Sequence, residues 1–225
     1  MHALEVCEDD RLKLAINLSF ACSLRFGEIL GLTWDCIDIS PEAIASGRAS
    51  MFINKESQQV TKAALKTLDG KDVILIFSSD SKHKKTVRIL KSPKTESSIR
   101  KVFIPKSVTE MLVDWKERQE TLKETLGEEY IDFNLVMCTS FGMPVEDTTI
   151  RAALKRLIKE HNLPPVVFHS SVTYKLKLNG GDIKAVQGDS GHAQTSMVAD
   201  VYSHIIDDDR RKNAELFEDA FLHKE

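Results

Sequence analysis

Arg25, Lys94, His192 and Tyr202 are the side chains of this 225-residue chain whose types together could do phosphate chemistry. A tyrosine can attack a phosphodiester, but a phenol with a pKa of about 10 needs a base or a cationic site to do so near neutral pH. The non-bridging oxygens gain charge in the transition state and call for fixed donors, best an arginine with its planar fork. The departing sugar oxygen needs a proton, which a lysine or histidine can give. Each residue also has a plainer use. Arg25 could pair with Glu28 one helical turn on, Lys94 could be an ordinary turn lysine, His192 could cap a helix, and Tyr202 could be core.

Spacing restricts how the last two could meet. On one continuous helix the ten residues from His192 to Tyr202 would span about 15 Å, so sharing a phosphate requires a turn between them. Gly191 before the histidine and Thr195-Ser196 after it supply break and cap residues.

The elements that must position these groups are legible in outline. Residues 10–24, "DRLKLAINLSFACSL", are apolar on nearly every face and predict a buried helix that delivers Arg25 at its end. Four short β-branched runs follow between residues 50 and 106: "SMFINKE", "KDVILIFSS", "KTVRILKS" and "IRKVFIP". "VTKAALKTL" is a short helix or another strand, and Ser92-Pro93-Lys94-Thr95 has the composition of a hairpin turn. Ser107 and Glu110 fit a capping box ahead of Val108, Met111, Leu112 and Trp115 at helical spacing. A second amphipathic helix uses Asp147 as cap, with Ile150, Ala153, Leu154, Leu157 and Ile158 on one face. A tail helix over about 210–223 puts Ala214, Phe217 and Phe221 on one stripe. Val172, Tyr174, Leu176 and Leu178 alternate as in a strand. The expected fold class is α+β, mainly helical, with one small antiparallel sheet, in a single domain over 1–225.

Composition narrows the function. The chain has 42% hydrophobic and 29% charged residues, lacks an apolar run long enough to span a membrane, and has no signal-peptide layout at its start. The cytoplasm is the expected compartment. The four cysteines, Cys7, Cys22, Cys36 and Cys138, form no CxxC pair and favour buried thiols over metal ligands or disulfides, so no metal is expected. Net charge is −3, yet nine Lys or Arg residues face a single acid, Glu96, between Lys82 and Lys106. Such a stripe suits a phosphate backbone partner or a strand edge protected from aggregation. Lys82, Lys84, Lys85, Arg88, Lys91 and Arg100 are the candidate DNA contacts.

Three segments, "CSLRFGEILGLTWDCIDI", "KSPKTESSIRKVFIP" and "GHAQTSMVADVYSHI", resemble the best-marked parts of the tyrosine recombinase (phage integrase) catalytic domain. They occur in the family's order over nearly the whole chain. The wording is most similar to integrases of conjugative transposons of Gram-positive bacteria. The resemblance implies integration or excision of a mobile element through a 3′-phosphotyrosyl intermediate, with no cofactor. It implies that Arg25 clamps the scissile phosphate, Lys94 acts as general acid, His192 belongs to the Leu-Gly-His motif (with Ser190 before Gly191), Tyr202 is the nucleophile, and Glu28 organises the site. Partners would be double-stranded DNA and other copies of the chain, four on DNA, docked through the C-terminal helix.

Two departures stand out. The His-x-x-Arg motif corresponds to "VVFHSSVTYKLKLNGGDIK", where His169 is followed three residues on by Val172 instead of arginine, in a stretch shorter than the family's. His169 is then either the motif histidine or the residue that follows the arginine. Strand cleavage is expected to be impaired, leaving an inactive DNA-binding remnant or a helical interaction protein as alternatives. The family's separate N-terminal DNA-binding domain is also not expected ahead of residue 1, which predicts weak, salt-sensitive DNA affinity.

Overall fold

The computed structural model describes residues 2–67, 70–77 and 85–164, with the isolated positions 182, 184 and 188. In chain order the elements are α1 (His2–Val6), α2 (Asp10–Phe20), α3 (Phe26–Gly31), β1 (Ile37–Asp38), α4 (Pro41–Ala45), β2 (Ser50–Ile53) and β3 (Glu56–Thr61). They continue with α5 (Lys62–Thr67), β4 (Val73–Phe77), β5 (Thr86–Lys91), β6 (Arg100–Phe103), α6 (Lys106–Leu126) and α7 (Asp147–Glu160). "VTKAALKTL" is thus both of its alternatives, the end of a strand and then a helix.

Helix α2 is the buried helix that its composition predicts. The Asp9 carboxylate caps it, accepting from the backbone N–H groups of Arg11 and Leu12 at 2.9 and 3.1 Å. Leu12, Leu14, Ala15, Ile16 and Leu18 are buried in the main core with Ile29, Met51, Ile53, Leu112 and Ile150. After α2, Ser23 takes a left-handed conformation at φ 56°, and the chain turns so that Leu24 goes inward and Arg25 becomes the residue before α3.

Among the described residues the strands form two antiparallel sheets of three, not one. One has the order β1-β2-β6 and the other β3-β5-β4. The consecutive strands β2 and β3 do not pair, because Asn54-Lys55 carries the chain from one sheet to the other. Lys55 is tied down there, its Nζ bonding Thr33 Oγ1 at 2.8 Å and Asp35 at 2.6 Å. Ser92–Thr95, expected to be a hairpin turn, closes no hairpin. The β4–β5 pair is the hairpin, and residues 92–95 lead from β5 in one sheet toward β6 in the other.

Two helix starts also differ from expectation. Helix α6 begins at Lys106 behind Pro105, whose φ of −59° presets the entry, so Ser107 lies inside the first turn and makes no capping box with Glu110. Glu110 instead lies near Lys106 at 3.9 Å on the surface. In α7 the cap position is Glu146, one residue before Asp147. Its side chain and that of Asp147 both accept from Arg88, so they are held by an ion pair instead of capping backbone N–H groups.

A polar hub fixes α6. Buried Gln119 accepts from the Trp34 indole N–H at 2.7 Å and donates to Val136 O at 3.1 Å. Trp115 also donates to Val136 O, at 2.8 Å. A smaller apolar cluster joins Phe77 and Leu90 of the second sheet to Leu135 and Cys138. All four cysteines are free and buried, as expected, and burial pushes the Cys7 and Cys138 thiols up. Among the described residues no helix is long and apolar enough to cross a membrane, and no group of three His, Cys, Asp or Glu residues could hold a metal.

Gly31 sets how closely α3 approaches β3. A Cβ there would lie 2.5 Å from Ser57 N and 2.7 Å from the carbonyl carbon of Glu56, both backbone atoms. Gly31→Ala is therefore expected to cost about 1–3 kcal/mol as an overpacking substitution, measured by urea unfolding. An unchanged midpoint would show that α3 can move off β3 without loss.

Candidate active site

The described part of the site is built on the start of α3. Glu28, 2% exposed, lies in the first turn and accepts the backbone N–H of Arg25 at 2.8 Å. Its carboxylate also takes both arms of Arg100, NH1 to Oε1 and NH2 to Oε2, each at 2.9 Å. This is a buried bidentate pair, the strongest geometry available to two opposite charges. Arg100 further donates to Ser98 O at 3.0 Å and Ser23 O at 3.3 Å. Glu28 and Arg100 thereby join the turn before α3 to the start of β6.

Arg25 stands on that base. Its NH1 donates to Ser98 Oγ at 3.0 Å and lies 3.4 Å from Glu28 Oε1. About a third of the Arg25 side chain remains exposed, against 2% for Glu28. The local pairing is present, since Arg25 NH1 does meet Glu28, but the carboxylate's two short side-chain bonds go to Arg100. Ser98 and Glu28 thus orient the guanidinium of a side chain that stays about a third exposed. Behind α3 the Arg151 guanidinium lies 4.2 Å over the Phe26 ring.

Lys94 is exposed in the connection after β5, next to Thr95. Thr95 Oγ1 lies 3.0 Å from Ser98 Oγ, the same oxygen that Arg25 donates to. Through these two hydroxyls the structure brings the connection that carries Lys94 together with Arg25. His169, His192 and Tyr202 lie outside the described residues, as do the strand-like stretch 172–178 and the tail helix.

The basic stripe is not uniform. Arg88 and Arg100, expected to face DNA, are buried, which corrects their placement on a solvated surface. Arg88 donates to Ser57 Oγ at 3.2 Å, Glu146 at 3.0 Å and Asp147 at 2.6 Å, joining β5 to the N-terminus of α7. The acids that neutralise these arginines are remote in sequence, so a local count of charge could not reveal them. Lys91 is paired with Glu56 at 3.3 Å and only 18% exposed. Lys85 is exposed, while Lys82 and Lys84 lie outside the described residues.

Sequence reasoning missed Thr95 and Ser98. The available signal was their spacing in a turn: Ser98 N–H bonds Thr95 O at 3.0 Å, the mark of a short 3₁₀ turn that puts both hydroxyls on one side.

The chain matches the phage integrase family over residues 72–208. It is 29% identical over 224 residues to a XerC-like tyrosine recombinase of Caldanaerobacter subterraneus subsp. tengcongensis, covering 97% of this chain and 52% of that protein. It is 25% identical over 210 residues to the ICEBs1 integrase of Bacillus subtilis, covering 92% and 48%. The chain thus spans about half the length of these curated relatives. Among solved structures it resembles the Tn1549 transposon integrase in complex with circular intermediate DNA, with a TM-score of 0.63 at 19% identity, over 95% of this chain and 61% of that one. The XerH recombinase bound to a palindromic difH substrate gives 0.59 at 17%, over 96% and 50%. The fold is that of the tyrosine recombinase catalytic domain. With the family match covering more than half of its length, the chain belongs to the phage integrase family.

Proposed function

We propose that the chain is the catalytic part of a site-specific recombinase that cuts and rejoins double-stranded DNA for a mobile element. The observation that supports this most is the Arg25 guanidinium, oriented by Glu28 and Ser98 beside the connection that carries Lys94. In this reading Arg25 binds the non-bridging oxygens of the scissile phosphate, and His192 and His169 add donors to the same group. The Tyr202 phenol passes its proton to one of these histidines, acting as base, as its oxygen attacks phosphorus. A bond from phosphorus to that oxygen forms as the bond to the 5′-oxygen breaks, and Lys94 protonates the departing oxygen. Reversal by another 5′-hydroxyl rejoins the strand. The phosphoester is conserved in the covalent link, so the scheme requires no nucleotide or metal. Lys82, Lys84 and Lys85 supply phosphate contacts, while Arg88 and Arg100 support the scaffold. A tetramer on DNA, docked through the tail helix over about 210–223, completes the reading.

Val172 gives a second reading its specific support, because the family resemblance implies an arginine at that point of the motif. A clamp short of one such donor loses about 10²–10³ in rate, which would leave a DNA-binding remnant. One experiment separates the two. The purified chain is mixed with a nicked duplex spanning an end of the DNA element that carries the gene, and covalent adducts are mapped by mass spectrometry. A slow adduct on the peptide containing Tyr202 supports the recombinase. Specific binding with no adduct supports the remnant, and an adduct on any other residue sinks the proposed mechanism.

A further inference from the structure

We infer that Ser98 is a positioning residue for Arg25, and that it couples the clamp to the connection bearing Lys94. This rests on the recombinase reading above and adds to it a residue outside the expected set. Ser98 is 7% exposed, so its hydroxyl is spent on the protein interior. Its Oγ accepts from Arg25 NH1 at 3.0 Å and shares a second bond with Thr95 Oγ1 at 3.0 Å, whichever of those two hydroxyls donates. Its carbonyl accepts from Arg100 NH1 at 3.0 Å, and its N–H bonds Thr95 O at 3.0 Å. Apart from Arg25, the hydroxyl is held by Thr95 Oγ1, while Arg100 and Thr95 O hold the backbone that carries it.

The consequence follows from how arginine works. A guanidinium is a fork on a flexible stem, and its value at a phosphate depends on the plane in which the fork is held. At 3.4 Å, Glu28 Oε1 supplies charge but a loose bond, and its short bonds go to Arg100. Ser98 Oγ makes the shorter of these two contacts to NH1 and so helps to hold the plane. Because the same oxygen is bonded to Thr95, the residue after Lys94, a shift of the connection moves the clamp with it. The phosphate clamp and the proton donor are thus set relative to each other through one hydroxyl.

Ser98→Thr and Ser98→Val test this, since both add the same bulk at a buried site and differ in the hydroxyl. The adduct rate on the nicked duplex is measured at saturating DNA, alongside DNA affinity and melting temperature. Ser98→Val is expected to slow adduct formation by about ten- to a hundredfold, the effect of losing one hydrogen bond to a charged group, while affinity holds and Ser98→Thr recovers the rate. Equal rates for the two variants, or matched losses of rate and melting temperature in both, overturn the inference. A wild type that forms no adduct would defeat the recombinase reading instead. Nitrogen-detected NMR of the Arg25 guanidinium then decides the point about Ser98. Slow rotation of its NH2 groups in wild type and in Ser98→Thr, lost in Ser98→Val, supports positioning. Identical spectra in all three reject it.

Discussion

Glu28→Ala is expected to destabilise the fold by about 3–5 kcal/mol, the cost of leaving a buried charge without its partner. The carboxylate is 2% exposed and takes both arms of Arg100, whose own side chain is 6% exposed. Without it the guanidinium keeps only the Ser98 and Ser23 carbonyls among its described partners, which accept hydrogen bonds but carry no net charge. The backbone N–H of Arg25 also loses its acceptor at the start of α3. Urea unfolding of wild type, Glu28→Ala, Arg100→Met and the double variant measures the effect. The double variant is expected to be less destabilised than the sum of the singles, because it removes the stranded charge. Additive losses would show that the two side chains are held independently.

Arg25→Ala is expected to behave in the opposite way. Adduct formation should fall by about 10²–10³, as for removal of one transition-state donor, while the unfolding midpoint stays near that of wild type. The reasoning lies in the division of labour at Glu28. That carboxylate keeps its two 2.9 Å bonds to Arg100 when the Arg25 side chain is gone, and alanine still supplies the backbone N–H that it accepts. Ser98 Oγ keeps Thr95. Arg25→Lys should recover only part of the rate, since an ammonium restores charge but not the planar fork. A large loss of stability in Arg25→Ala would instead make Arg25 a scaffold residue, and an unchanged adduct rate would remove it from the mechanism.

The contrast between these variants marks how far the sequence alone could lead. The buried helix was legible because apolar residues on every face leave a helix little choice, although it ends at Phe20, not at residue 24, and leaves Arg25 to the start of α3. The short β-branched runs were legible for similar local reasons. The grouping of the strands was not. Nothing in "FINKES" says that the chain leaves one sheet at Asn54-Lys55, since that depends on Lys55 meeting Thr33 and Asp35 some twenty residues earlier. Charge misled most. Arg88 and Arg100 look like members of a solvated basic stripe, but their carboxylates come from Asp147, 59 residues away, and Glu28, 72 residues away. Arg25 and Lys94 were recognised through their company, whereas Ser98 and Thr95 are common residue types that only the folded geometry singles out.

Lys94 is in effect mounted on a tie-rod. The strand before it is riveted to one sheet and the strand after it to the other, so its position answers to the separation and tilt between two plates. A lysine at the tip of a hairpin would ride rigidly with its own two strands and ignore such changes. The sheet that holds the strand before it is also bolted to α7 by Arg88, which gives a remote helix a mechanical line to Lys94. Shifting Lys94 therefore requires no substitution beside it: shortening or lengthening the Asn54-Lys55 splice would do so by resetting the span that the rod has to bridge.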